Sequence, residues 1–445
     1  MSKTTLNRIF SLFIVLLLIA AGVNAQDVSR ELSLEEAIQA AITNNRLVKL
    51  AGLDAAIANA GYKQTEAINL PQVQLAYTGM GTNNPLNAFG FKLQQQSIAA
   101  TDFNPALLNH PGATGDFSTE LVVQQPLINM DLLYQRKAAA RQVEVYQFKN
   151  QRTKEYIRFA VQKAYLELQF AYKVAAVLTE ARKTTEAVYK AANDHYLQGL
   201  IQQSDVLLVQ VQVSTIETKL ANIKSQIGNA SDNLRVLMGA DKGPVYTTTP
   251  FQAIPDKRID TTSSVPAIRA DFMAMQKAIE AGNLLIEANK KTYLPRLNAF
   301  GSYQLNDRKM FGFGAAAYLA GIRLSWDIFK GNSTKNSIAR QQLEQNKLTI
   351  QLTEQQEESN QELLKTRRAL SDISYAIRQH QSAIEQAAEA ARILQNRYAQ
   401  GLVTTTDLML ATTQVSTQKL ALAESLFSQQ VNRAYLELLT GSVSK

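Results

Sequence analysis

Cysteine is absent from all 445 residues, so the chain has no disulfides, no thiolate metal site and no N-terminal cysteine to carry a lipid anchor. Histidine is scarce as well: His110, His195 and His380 are the only three, far apart on a loop or on polar helix faces. Without cysteine or a histidine cluster, neither a metal centre nor an activated nucleophile has a ligand set to start from. Carboxylates are plentiful but fall at helix-surface spacings, and Gly312-Phe313-Gly314 lacks the third glycine and following helix of a phosphate loop. No enzyme, cofactor or metal is expected. The formal net charge of +8 is spread over mixed-sign surfaces with no dense Lys/Arg block, so nothing points to nucleic acid and no such partner is expected. Proline is missing from 127 to 243, and so long an uninterrupted run argues for an elongated helical structure.

Long apolar runs are also lacking, with one exception at the start. Lys3 and Arg8 precede an apolar stretch over 9–21, and Val23-Asn24-Ala25 offers small residues for cleavage before Gln26. That is the layout of a secretory signal peptide over 1–25; the apolar run is shorter than the roughly 20 residues needed to span a bilayer. The mature chain is therefore expected outside the cytoplasm, and any membrane attachment has to come from its fold.

What the chain does have is one pattern written twice. Residues 196–239 align without a gap on 398–441, every position shifted by 202, with Tyr196/Tyr398, Gly199/Gly401, Leu200/Leu402, Asp205/Asp407 and Gln212-Val213-Ser214-Thr215 against Gln414-Val415-Ser416-Thr417. A second anchor pairs Leu70-Pro71-Gln72-Val73 with Leu294-Pro295-Arg296-Leu297. The expected organisation is a first repeat over 26–239, a mid-height linker over 240–265, a second repeat over 266–441 and a short tail over 442–445.

Within each repeat, Ala-, Gln-, Glu-, Lys- and Leu-rich segments with apolar residues at three and four predict amphipathic, coiled-coil-like helices. From the second strand of each repeat to its glycine turn, about 70 residues at 1.5 Å each would descend roughly 100 Å. Four runs alternate instead, over 72–78, 119–127, 296–303 and 320–328, with one oily and one polar side. In an exported chain, an oily face with Tyr77, Tyr303, Tyr318, Trp326 and Phe329 near strand ends fits the wall of a transmembrane β-barrel; a soluble sheet covering a core is the alternative reading of the same alternation. Four strands cannot close around a lumen and open edges are not tolerated in lipid, so several chains would have to share one barrel, and three would supply twelve strands. The stretches 81–115 and 306–314 are expected to be irregular loops.

The opening Leu32-Ser33-Leu34-Glu35-Glu36-Ala37 with Asn44-Asn45, the Tyr293-Leu294-Pro295-Arg296-Leu297 strand entry, and the paired Tyr-x-x-Gly-Leu-x-x-x-x-Asp turns resemble those of the TolC family of outer-membrane efflux proteins. The resemblance implies an α+β membrane protein: four β-strands per chain in a shared twelve-stranded trimeric barrel, and a long antiparallel helical coiled-coil tunnel through the periplasm. It implies a homotrimeric exit duct in the outer membrane, surrounded by its lipid. A periplasmic adaptor (membrane fusion protein) and an inner-membrane pump of RND or ABC type would feed it. A type I protein-secretion channel is the alternative within the family. Long helical hairpins also suit a periplasmic adaptor or scaffold, although two equivalent hairpins, each fed by a strand pair, favour the duct. No Met-rich or His-rich tract points to copper or silver, which favours organic cargo.

At the turns, Gly199 and Gly401 fit the left-handed position past a helix end, and Ser204-Asp205 and Thr406-Asp407 fit the start of the next helix, capping its free N–H groups. The resemblance adds that Asp205 and Asp407 belong to the periplasmic entrance, that Tyr398 matches a gate tyrosine, and that the tips Gly199, Leu200, Gly401 and Leu402 meet the adaptor. Two departures stand out. The basic residue that locks the closed gate in some members is Val403 here, so an apolar constriction from Leu402 and Val403 is one expectation for the closed state. Arg46 stands where many members have proline.

Overall fold

The computed structural model describes residues 30–241, 243–251 and 264–441. The expected signal peptide, much of the expected linker and the expected tail lie outside the described residues. In chain order, the elements are β1 (Arg30–Leu32), α1 (Leu34–Asn44), α2 (Arg46–Gln64), β2 (Gln72–Thr82), α3 (Pro85–Gln94), α4 (Pro105–Asn109), β3 (Thr114–Ile128), α5 (Met130–Leu197), α6 (Gln203–Leu237), β4 (Tyr246–Thr248), α7 (Ala270–Lys291), β5 (Arg296–Asp307), β6 (Ala315–Ser325), α8 (Ser333–Ala399) and α9 (Thr405–Thr440). They fall into two units, one made of residues up to 51, 151–269 and 356 onward, the other of 52–150 and 270–355.

The first unit is helical. Its main core joins Ala37, Ile38 and Ala41 of α1, Val48 of α2, Ile157, Val161, Tyr165 and Leu168 of α5, and Leu234 of α6. Ile157 and Leu168 are at most 1% exposed, which at ordinary transfer energies is about 1.5–3 kcal/mol each. Two three-residue strands that sequence periodicity is too short to reveal, β1 and β4, pair in parallel beside this core. They are pinned by side chains: the Tyr165 hydroxyl donates to Leu32 O at 2.9 Å, Gln169 to Thr249 O at 2.9 Å, and the Tyr246 N–H to the Ser231 hydroxyl at 2.9 Å.

A break at Asn45 separates α1 from α2 and ties them to the end of α6. Asn45 is 5% exposed; its Oδ1 accepts from Leu47 N at 2.8 Å and Val48 N at 3.4 Å, and its Nδ2 donates to Leu237 O at 2.7 Å. Gly239 follows at φ +64, where an added Cβ would sit 2.6 Å from Asn44 O. In the second half, Arg269 stands just before α7 as Asn45 does before α2, and it reaches Leu439 O at 3.5 Å and the Ser359 hydroxyl at 2.7 Å. Leu439 is Leu237 shifted by the same 202 positions.

The second unit is built on a four-stranded antiparallel sheet in the order β2-β3-β5-β6. Directly paired residues project to the same side, and the register therefore sorts the sheet into two faces. Val73, Leu75 and Tyr77 share one side with Leu121, Val123, Leu297, Tyr303, Leu305, Tyr318, Ile322 and Leu324. Gln72, Gln74 and Thr78 share the other with Ser118, Glu120, Gln124, Asn298, Ser302, Gln304 and Arg323. On the first face Val73, Leu75, Tyr318, Ile322 and Leu324 are 63–83% exposed. Pro126 sits at a register shift in β3, the position where a residue without an N–H disturbs a ladder least.

The strands differ from the alternating runs at their ends. β2, β3 and β5 extend through Gly79, Gly81, Gly115 and Asp307, residues that read as loop but are held by cross-strand bonds. β6 instead stops at Ser325, so Trp326 and Ile328 lie beyond it, and the indole N–H of Trp326 donates to Tyr293 O at 2.9 Å. The stretch 81–115 is not irregular throughout. Asn84 caps α3 through Leu86 N and Asn87 N with Pro85 in the first turn, and Asn104 caps α4 through Ala106 N with Pro105. Asn-Pro pairs that look like loop signals are here cap and first-turn residues.

Candidate functional site at the two helix turns

The α5–α6 and α8–α9 connections both lie in the first unit and share one backbone solution. Gly199 N bonds Tyr196 O at 2.9 Å and Leu200 N bonds His195 O at 2.9 Å; 202 positions later Gly401 N bonds Tyr398 O at 2.9 Å and Leu402 N bonds Arg397 O at 3.0 Å. With Gly199 at φ +75 and Gly401 at φ +74, each is a Schellman ending in which glycine takes the left-handed position at no Cβ cost. Neither glycine has an atom within 4 Å of where a Cβ would stand, so conformation, and not crowding, selects it.

The next helices begin differently from expectation. At the second turn the capping hydroxyl belongs to Thr404, not Thr406: Thr404 Oγ1 accepts from Asp407 N at 3.2 Å, and Asp407 Oδ2 accepts from Thr404 N at 3.1 Å and from the Thr404 hydroxyl at 2.6 Å. A capping box requires hydroxyl and carboxylate three residues apart, which Thr404 and Asp407 satisfy and Thr406 cannot. These bonds hold the exposed Asp407 carboxyl below the usual carboxylate range, the Thr404 hydroxyl contributing most. At the first turn the cap is Gln202, and Asp205 Oδ2 accepts from Gln202 N at 3.2 Å. Ser204 does not serve as the capping residue.

Behind the turns the four helix ends share a core. Val188 and Ala192 of α5, Val206 and Val209 of α6, Tyr398 of α8 and Leu408 of α9 are buried together, with Val403 partly buried against them. Tyr398 is 4% exposed; its hydroxyl lies 3.1 Å from Thr405 Oγ1, and its ring meets His195 at 4.9 Å between centroids. Tyr196, its counterpart, is 38% exposed, and the position matching Thr405 is Gln203. Leu200 and Leu402 remain 65% and 61% exposed at the tips. The structure thus gathers Tyr398 and Val403 into the helix-end core and leaves Asp407, Leu200 and Leu402 facing outward, with Asp205 half-buried.

His195 is the participant that sequence reasoning missed. Its only local signal is its place beside Tyr196, and the ring contact comes from another helix. Among the described residues no group of three or more His, Cys, Asp or Glu could hold a metal ion, and no helix is long and apolar enough to cross a membrane.

A family profile described as outer membrane efflux protein matches residues 37–240 and 263–442. The chain is 20% identical over 417 residues to the cation efflux system protein CusC of Escherichia coli (strain K12), spanning 91% of this chain and 85% of that protein. Among solved structures, CusC superposes with a TM-score of 0.80 at 17% identity, covering 94% of this chain and 95% of that one. The Campylobacter jejuni CmeC outer membrane channel gives 0.79 at 15% identity, covering 92% and 85%. The open state of the Neisseria gonorrhoeae MtrE outer membrane channel gives 0.73 at 16% identity, covering 92% and 88%. At these identities the structural likeness concerns the fold.

Proposed function

The chain belongs to the outer membrane efflux protein family, and on that premise we propose that it is the exit duct of a tripartite efflux pump, three copies sharing one barrel in the outer membrane and one helical tunnel through the periplasm. The observation that carries this reading is the sheet, with β2 and β6 as its outer strands and one predominantly apolar face. In lipid each unpaired backbone group at such an edge costs several kcal/mol, and four strands are too few to enclose a lumen. Pairing β6 of one copy with β2 of the next removes every edge, and three copies give twelve strands. The apolar face with Tyr77, Tyr303 and Tyr318 then meets lipid and the polar face lines water.

In this reading residues 1–25 are a cleaved signal peptide, 26–239 and 266–441 are equivalent repeats, and 240–265 is the connection between them. Each repeat sends one hairpin, α5–α6 or α8–α9, into the tunnel. The turns form the periplasmic entrance, where Asp205 and Asp407 of three copies bring six carboxylates together. Gly199, Leu200, Gly401 and Leu402 are the tips offered to a periplasmic adaptor. Tyr398 is anchored inside its own chain, so the closed entrance relies on the exposed Leu402 with Val403 packed behind it. The duct is passive; an inner-membrane pump of RND or ABC type drives transport and chooses the cargo, so the cation named for CusC does not fix it here.

Cysteine pairs across the expected seam, one on β2 and one on β6, test the assembly in a chain with no cysteine of its own. The expected result is covalent trimers on a non-reducing gel of protein taken from outer membranes. Monomers whose edge thiols all react with a water-soluble reagent would refute it.

A further inference from the structure

Between β2 and β3 the chain does not arch away from the sheet. The segment carrying α3 and α4 folds back across the polar face. Thr114, Asp116 and Ser118 of β3, Asn306 of β5 and Ala315 of β6 are each at most 9% exposed, and Asp116 is fully buried. By register these five share the side of Thr78, Glu120 and Ser302. On the apolar side at the same height, Tyr77 and the Phe311 stacked on it are 41% and 66% exposed.

The covering segment is fastened by directed bonds. Gln95 Nε2 donates to Gly115 O and to Asp116 Oδ1, both at 2.8 Å, while Asn306 Nδ2 donates to Asp116 Oδ2 at 2.8 Å. Gln96 Nε2 reaches Ala316 O at 3.4 Å. Ala88 of α3 is 2% exposed. The segment also braces itself: Lys92 bridges Asp102 at 2.6 Å, Asp102 accepts from Ala99 N at 2.8 Å, and the Phe89 and Phe103 rings meet edge to face at 5.9 Å. A fully buried carboxylate with amide donors on both oxygens is costly to strand, so undocking the segment is opposed at Asp116 itself.

We propose that this segment is a fixed inward strap that narrows the outer mouth of the duct and sets the largest cargo that can leave, with Asp116 as the positioning residue that holds it. The inference rests on the duct reading, in which the polar face lines the lumen. Three copies place three straps around one mouth. Leu86, Leu93, Phe103 and Leu107 are 54–80% exposed on the strap, which gives that mouth an apolar rim. The cargo class is accordingly compact amphiphilic molecules, and polypeptide cargo is disfavoured.

The test uses Ser302→Cys, a single thiol on the polar face, in otherwise intact chain in cells. It is challenged from outside with a small methanethiosulfonate and with polyethylene-glycol maleimides of increasing length. The small reagent is expected to react and the long ones to be excluded. Adding Gln95→Glu sets a second carboxylate against Asp116; losing a hydrogen bond to a charged group shifts the docking balance by about ten- to a hundred-fold, and longer reagents should enter. Gln95→Glu with Asp116→Asn restores the carboxylate–amide pair, though not the bond to Gly115 O, and should recover most of the size limit, which a merely structural defect would not do. Long reagents entering with the strap intact would overturn the proposal. So would an unchanged limit both in Gln95→Glu and in a variant whose residues 85–112 are replaced by a glycine-serine turn. If no reagent of any size reaches Ser302→Cys in any background, the duct reading beneath the proposal fails instead.

Discussion

Replacing Asn45 with alanine removes two connections at once, one within its own helix start and one to a distant carbonyl. The lost cap at Leu47 N and Val48 N costs about 0.5–2 kcal/mol. Leaving the Leu237 carbonyl, now bonded at 2.7 Å, without its donor costs about 1–3 kcal/mol more. Asn45 is 5% exposed, so water does not replace either bond. The sum, about 1.5–5 kcal/mol, is roughly a 10- to 5,000-fold rise in local opening. Hydrogen exchange read by mass spectrometry over 34–64 and 231–240 in the intact protein measures it directly. Asn45→Asp separates the two parts: it keeps the acceptor for the α2 amides but sets a carboxylate against the Leu237 carbonyl. Protection should survive at the start of α2 and fall at the end of α6. Equal protection of both regions in wild type and Asn45→Ala would refute the reasoning.

Two further outcomes follow from the same geometry. Gly239→Ala should destabilise more than Gly441→Ala in thermal unfolding: both pay about 1–2 kcal/mol for a left-handed backbone, but only at Gly239 does the new Cβ meet a carbonyl oxygen at 2.6 Å, while Gly441 has open space. Equal losses would remove the contact with Asn44 from the account. Asp407 is held below its ordinary pKa by Thr404, so its contribution to the α8–α9 turn is complete above the unfolded Asp value of about 4 and is lost as pH falls through the lower folded pKa. In planar bilayers, divalent cations added on the periplasmic side should block wild type but not Asp205→Ala/Asp407→Ala. That block should persist to lower pH in wild type than in Thr404→Val, which lacks the hydroxyl; identical pH midpoints would refute the assignment.

The parts of the fold that were legible in sequence are those decided locally. The glycine turns follow from a backbone requirement at one position, and the four strands from a face that must be apolar along its length. What escaped depends on partners from elsewhere. Gly79, Gly81 and Gly115 look like loop residues, yet they pair as strand because β3 supplies bonds to β2 through the full register. The Asn-Pro pairs at 84 and 104 carry the same chemistry as turn starters, and only the chain that follows makes them helix caps. The strap's seat is invisible for the same reason, since Gln95, Asp116 and Asn306 meet across three elements.

The candidate site shows the limit most sharply, because there the two repeats agree in sequence and differ in structure. Tyr196 and Tyr398 hold the same place in the same motif and end helices with the same hydrogen bonds. One is 38% exposed and the other 4%. The two motifs differ at one of their variable positions: position 405 is threonine, whose hydroxyl meets Tyr398, whereas position 203 is glutamine. His195, the residue matching Arg397 in the other repeat, then closes over Tyr398 and not over its own neighbour. A tyrosine so anchored braces the second turn from within, and the first turn has no equivalent brace. If the entrance opens by movement of these hairpins, the two turns therefore do not share the work equally. In that case the α5–α6 turn, with no side-chain cap bond at Gln202 and Tyr196 exposed, is expected to lose amide protection before the α8–α9 turn, and equal hydrogen exchange at the two turns would refute this.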